Sequence, residues 1–401
     1  MHPRCAPSSA RTADRPALEL ADIVRLHGAA LRRARPLTPE QHRTLHAIER
    51  CRTAALGGHL EVCARCGHEE AAYNSCRDRH CPKCGALAQE KWVRARSARL
   101  LPVPYFHVVF TLPAELRTVA KLNRRFVFDL LFETASATLL ELGLDPKRIG
   151  GLLGVTAVLH TWKRDLGFHP HLHCIVTGGG WSLSEKRWAS GRARHLLPVT
   201  VLGALFRGKF LDGLRRAHRR GELRLPNEPL PRDPEAFDRG LAALRHKSWV
   251  VYAKRPFGGP AQVVGYLGRY THRVGISNRR LVSLDERGVT FRTKEGKRVT
   301  VEPVVFLSRF VEHVLPARFV KIRHYGLLAP AHVRTALAAA RCALSASTCA
   351  NTPSSRVAAP DDWRSLLFEL TGIDVGVCRT CGARAVERHP LPPARAPPEA
   401  A

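Results

Sequence analysis

The sequence predicts an α+β fold, with an antiparallel sheet preceded by a small helical and cysteine-rich module. Three observations carry this. Residues 152–179 hold two apolar, β-branched runs on either side of a polar turn, the pattern of a hairpin. Residues 51–85 carry two Cys-x2-Cys pairs, each followed by glycine. Ahead of them, residues 17–35 have helical periodicity, and Thr38-Pro39-Glu40 opens a second helix running to about Cys51. The expected division is a helical lead-in over 1–50, a zinc-binding module over 51–100, a sheet domain over 101–330 and a tail over 331–401. A chain of 401 residues has room for a substantial core in each larger part.

Charge narrows the class. Lys and Arg number 64 against 34 Asp and Glu, a net charge of +30. Such a surplus implies a polyanionic partner, nucleic acid first and an anionic membrane surface second. No apolar run reaches transmembrane length, no lipidation motif is present, and residues 1–16 lack the apolar stretch of a signal peptide. A cytoplasmic protein without a membrane partner is therefore expected, its twelve cysteines being thiols or metal ligands and not disulfides.

Cys63-x2-Cys66 and Cys81-x2-Cys84 have knuckle spacing, with fourteen residues between the pairs. They are expected to hold one tetrahedral Zn2+. Cys51, His59, Cys76 and His80 are candidates for a second, interleaved site, with His68 as a substitute ligand. A site closed by four thiolates has no open position, so this module supports binding more than chemistry. Residues 86–101 read as a basic helix, 103–112 as a strand and 114–142 as a long helical run.

In the predicted hairpin, His171 and His173 alternate with Leu172, so both imidazoles share one strand face. Two imidazoles on a rigid face make a metal site that lacks one ligand. His160, eleven residues before His171, lies where the hairpin can fold it back beside them; His169 is the competing third ligand or a supporting residue. Idle strand histidines are the bland reading, which four histidines in fourteen positions disfavour. The Gly178–Gly180 run reads as a turn. Trp181 and Trp188 read as packing residues near the site.

Residues 198–220 look helical, 221–234 form a Pro-rich excursion and 246–254 read as a strand. Residues 259–281 read as a helix followed by a basic turn and strand, with Pro260 in the first turn and Gly275 beyond the end. Tyr266 and Tyr270 are four apart and share one helix face. Short basic strands are expected over 279–302, then a helix and the segment FVKIRHYGLL over 303–328. The tail carries one amphipathic helix, DDWRSLLFEL, and Cys378-x2-Cys381, half of a zinc site, for which His389, Cys342 or Cys349 are weak partners.

The His-hydrophobic-His strand resembles that of the HUH endonucleases, and the offset to His160 resembles the histidine cluster of relaxases. The stretches NSCRDRHCPKC, PYFHVVFTLP, HTWKRDLGFHPHLHCIV, YLGRYTHRVGISNRRL and RFVEHVLPARFVKIRHYGLL, in that order, resemble the two-tyrosine rolling-circle transposases of bacterial insertion-sequence family 91 over about residues 40–330. The resemblance implies an HUH nuclease domain on a central antiparallel sheet. It also implies Mg2+ or Mn2+ on His171, His173 and His160, possibly joined by His169, and Zn2+ in the cysteine module. Tyr266 or Tyr270 would attack single-stranded DNA at the element ends and target, forming a 5′-phosphotyrosine, with Arg269, Arg273, Arg279 and Arg280 contacting the DNA. Two other classes fit parts of the pattern: a related HUH replication initiator or relaxase, and a non-enzymatic zinc-ribbon nucleic-acid-binding protein.

Overall fold

The computed structural model describes residues 18–192, 195–226, 230–254, 262–263, 265–266, 268, 275–293, 296–346 and 362–394. The two apolar runs form β4 (Leu152–Trp162) and β5 (Phe168–Ser182), antiparallel and joined by residues 163–167. The free edge of β5 pairs with β3 (Tyr105–Thr111), which pairs with β7 (Val251–Ala253), shorter than the run over 246–254 suggests. The free edge of β4 pairs with β11 (Ile322–Gly326), and β6 (Arg187–Ser190) extends the end of β5. The strand order is β11-β4-β5-β3-β7, antiparallel throughout.

Alternation divides this sheet into two faces. Phe106, Val108 and Phe110 of β3, Val155, Ala157 and Leu159 of β4, and Leu172, Cys174 and Val176 of β5 enter one buried cluster. The helices α5 (Arg124–Leu144) and α6 (Val199–Arg219) cover them through Phe128, Phe132, Phe206 and Phe210. Each such side chain contributes roughly 1.5–3 kcal/mol on burial. A one-residue slip would turn the whole set outward, so the register is fixed, and the odd-numbered histidines of β5 stay on the opposite face.

Two local expectations change. The helical run over 114–142 breaks at Asn123, between α4 (Arg117–Leu122) and α5, where Asn123 hydrogen-bonds the Val119 carbonyl and both backbone groups of Arg224. Gly178–Gly180 is not a turn but lies within β5. Its reason is close approach: a Cβ on Gly180 would sit 2.4 Å from the Gly151 backbone.

A second apolar cluster joins α1 (Leu20–Ala34) and α2 (Pro39–Arg50) to the helix Pro303–Val311 and to a small sheet of β8 (Leu281–Asp285), β9 (Gly288–Arg292) and β10 (Arg298–Val301). The cysteine module is a hairpin, β1 (Gly58–Cys63) and β2 (Glu69–Tyr73), followed by α3 (Ala86–Ser97). The tail returns to it: β12 (Val386–Leu391) pairs along the other edge of β1, with Glu61 opposite Arg388 and their side chains 2.9 Å apart. No helix among the described residues is long and apolar enough to cross a membrane.

Candidate active site and metal centres

His160 of β4 and His171 of β5 are direct cross-strand partners. His173 lies one pleat further on the same face, and the three rings present nitrogens within 4.8 Å of one another. Nδ1 of His171 donates to the His169 carbonyl at 2.7 Å, which leaves Nε2 with its lone pair free to ligate. Burial pushes the His171 pKa down, so the imidazole is held neutral, the ligating form. This geometry fits a cation held by three nitrogens with other positions open to substrate. His169 is not in the cluster. Its backbone carbonyl orients His171, and its own ring, with a pKa near 4 through burial, lies beside the His171 ring at 5.5 Å between centroids.

His107, on β3, was not singled out by the sequence. It shares the histidine face, diagonal to His173 across β3 and β5. Its Nε2 is 2.9 Å from Nδ1 of His173 and 2.7 Å from the Tyr266 hydroxyl, and that hydroxyl is 3.0 Å from Nδ1 of His173. All three distances are satisfied when Tyr266 donates to His107 and His173 Nδ1 donates to Tyr266. Nε2 of His173 then faces the other two histidines. Burial, then Lys254 and His171, lowers the His107 pKa to about 4, so it acts as an acceptor. The available signal was a histidine at the middle of an otherwise apolar strand, PYFHVVF.

Tyr266 is buried beside Val263, Ile175 and Leu327, and the described residues 262, 263, 265, 266 and 268 are helical. Tyr270, Arg269 and Arg273 lie outside the described residues. Arg279 is exposed. Arg280, expected to contact DNA, has internal partners: its guanidinium lies over Phe291 and donates to the carbonyls of Arg292, Gly275 and Arg164.

The cysteines form two clusters, neither of them the expected set. Cys51, Cys76, Cys81 and Cys84 make one, and Cys63, Cys66, Cys378 and Cys381 the other. The β1–β2 hairpin separates the two N-terminal pairs, since Cys63 and Cys66 sit at its tip and Cys81 and Cys84 follow its base. Close sulfur pairs are 3.3–3.6 Å apart in the first cluster and 3.6–3.7 Å in the second. A tetrahedral zinc at about 2.3 Å from each sulfur needs ~3.8 Å, so both sets fit Zn2+.

The two halves of the second cluster are built alike. Gly67 donates to the Cys63 carbonyl and Gly382 to that of Cys378, both at 2.9 Å, with φ of 69° and 71°. Amides of Cys66 and Arg65 lower the Cys63 pKa, and those of Cys381 and Thr380 lower Cys378 to about 6, favouring the thiolates zinc binds. His59 and His80 join neither cluster. His59 lies beside Glu61 at 3.3 Å, and His80 Nε2 accepts from the Leu315 amide. Among the described residues Cys378 and Cys381 find their partners in Cys63 and Cys66, not in His389 or Cys342; Cys349 lies outside the described residues.

A family model described as "Transposase zinc-binding domain" matches residues 23–112, and one described as "Putative transposase" matches residues 154–336. The first spans the Cys51 cluster, and the second spans the three histidines and Tyr266. The chain is 45% identical over 372 residues to "Putative transposase y4qJ" of Sinorhizobium fredii, covering 90% of this chain and 92% of that protein. It is 30% identical over 290 residues to the transposase for insertion sequence element IS801 of Pseudomonas savastanoi pv. phaseolicola, covering 70% of this chain and 68% of the other. No solved structure matches the chain. On this similarity along nearly its whole length, the chain belongs to the transposases of insertion-sequence family 91, with their N-terminal zinc-binding domain.

Proposed function

We propose that this transposase cleaves and rejoins single-stranded DNA through a 5′-phosphotyrosine, as in rolling-circle transposition, on an HUH nuclease domain. One observation carries the reading: the Tyr266 hydroxyl is held at 2.7 and 3.0 Å by His107 and His173, next to the cluster of His160, His171 and His173. A nucleophile and a cation site on one rigid sheet face are the two parts that phosphodiester transfer needs.

Mg2+ or Mn2+ held by the three histidines would supply Lewis-acid polarisation of the scissile phosphate. His173 and His107 orient the phenol oxygen. The phenol proton passes to Nε2 of His107 as that oxygen attacks phosphorus, the bond to the 3′ oxygen breaks, and the departing strand takes up one proton as a free 3′-OH, so that the proton count is unchanged. The 5′ side stays on tyrosine as a phosphodiester. A later 3′-OH reverses the step and releases the tyrosine, so no nucleotide cofactor is consumed. Tyr270, one helical turn on in sequence, is proposed as the second nucleophile, which would let one chain hold two strands.

The test is cleavage of end-labelled single strands from the element ends, with Mg2+ or Mn2+ and with chelator. The reading expects a product with a free 3′-OH and a protein-linked 5′ fragment, only with metal and only from single strands. Cleavage that leaves a free 5′-phosphate would sink it.

A further inference from the structure

Beyond the metal cluster, Trp162 stacks on the His160 ring at 4.7 Å. Past this indole, the β4 and β11 edge opens onto a cleft of about 810 Å3 whose far wall is the loop carrying Cys84. That volume lies in the range of roughly 300–1,000 Å3 typical of pockets that enclose a ligand. Its floor is apolar, from Leu87, Leu315, Ile322 and Leu367. Its rim is cationic, from Arg52, Arg77, Arg318 and Lys321. Asp78 is the one carboxylate lining it among the described residues, and its oxygens already accept from the His80 amide and the Thr44 hydroxyl.

The arginines are held at a cost. Arg52, Arg77 and Arg318 have φ of 57°, 55° and 57°. Left-handed backbone costs a residue with a Cβ roughly 1–2 kcal/mol, which glycine avoids. Among the described residues five non-glycines have such a φ, and three of them are these cleft arginines. None of the three has a side-chain hydrogen bond or ion pair among the described residues. The Arg52 amide donates to the Asn74 carbonyl and the Arg77 amide to the Cys84 sulfur, so the backbone there serves the cysteine cluster, while the side chains are left for an external partner.

We propose that the cleft binds unpaired nucleotides of the DNA strand next to the scissile phosphate, bases on the apolar floor and phosphates on Arg52, Arg77 and Arg318. This rests on reading the chain as a single-strand nuclease. A base can reach such a floor only when it is free of its complement, so the cleft selects single strands.

Anisotropy of a labelled oligothymidine with the full, zinc-loaded chain tests this, comparing wild type with R77G/R318G. Glycine relaxes both backbones, so lost binding is not lost folding. The control is R239A/R245A, which removes equal charge from an exposed helix (Pro234–His246) away from the cleft. The cleft variant should lose about tenfold in affinity, with the salt slope lower by about 1.4 for two lost phosphate contacts. The control should change far less, and duplex binding should fall alike in both. Equal losses in the two variants would overturn the cleft, and tighter binding of oligouridine than of oligothymidine would overturn its assignment to DNA. Adduct formation by the wild type separates the two readings. No adduct with a selective cleft loss removes the nuclease and keeps the cleft; an adduct without selective loss does the reverse.

Discussion

The sulfurs of Cys63 and Cys381 lie 3.6 Å apart although 318 residues separate them in the chain. A metal there ties the tail to the N-terminal module, in parallel with the β1–β12 pairing. Replacing Cys378 and Cys381 by Ser should therefore halve the zinc content from two ions per chain to one, read by a chromogenic chelator after denaturation. The tail should become a site of rapid proteolysis, because without the metal it is held mainly by the six-residue strand on β1 and by exposed ion pairs such as Arg379–Glu70. Unchanged zinc content would contradict this partition of the thiols.

Substitution of His160 and of His169 should separate ligand from neighbour. His160→Ala removes one of three nitrogens and should abolish measurable Mn2+ binding by titration calorimetry. His169→Ala keeps the backbone carbonyl that orients His171, so affinity should fall by about tenfold or less. Equal losses would place His169 on the metal.

Much of this was legible in the sequence, and its limits have physical causes. Alternation fixed the hairpin and placed both His171 and His173 on one face, because period 2 admits no other arrangement once Leu172 is buried. His160 followed from the short connection. The thiol partition did not follow. Spacing within a Cys-x2-Cys pair is local geometry, but which pairs meet depends on where the hairpin carries them and on the return of β12, a strand of polar and charged residues without a clear apolar pattern. Cys-x2-Cys-Gly occurs three times, at 63–67, 81–85 and 378–382, so the local pattern does not say which pairs meet. His107 was hidden for a similar reason: one histidine in an apolar strand gains meaning only when β3 docks beside β5.

His107→Phe should leave Mn2+ binding intact and slow adduct formation by about 100-fold, since the phenol then loses the acceptor that aims it. His107→Gln, which restores an acceptor, should recover part of the rate. Loss of Mn2+ binding in the Phe variant would mean that His107 supports the metal cluster instead.

His313 gives a pH dependence of stability. It is fully buried, its Nε2 donating to the Leu166 carbonyl and its Nδ1 accepting from Thr161, and burial pushes its pKa from 6.5 to about 4. The unfolded chain gains a proton there near pH 6.5 while the folded chain does not. Stability is therefore lost as pH falls from about 6.5 towards 4, by up to roughly 3 kcal/mol for this group. Urea unfolding of wild type and His313→Gln at pH 7.5 and 4.5 should show a smaller acid loss in the variant. An identical loss would contradict the buried neutral state.

The most direct measurement is to digest the protein after reaction with single-stranded DNA and Mn2+ and to locate the nucleotide by mass spectrometry. The account predicts a deoxynucleoside 5′-phosphate esterified to Tyr266 or Tyr270. Tyr266→Phe should leave Tyr270 as the sole modified residue, and the double variant should form no adduct. An adduct on a serine, histidine or cysteine, or one that persists in the double variant, would contradict it.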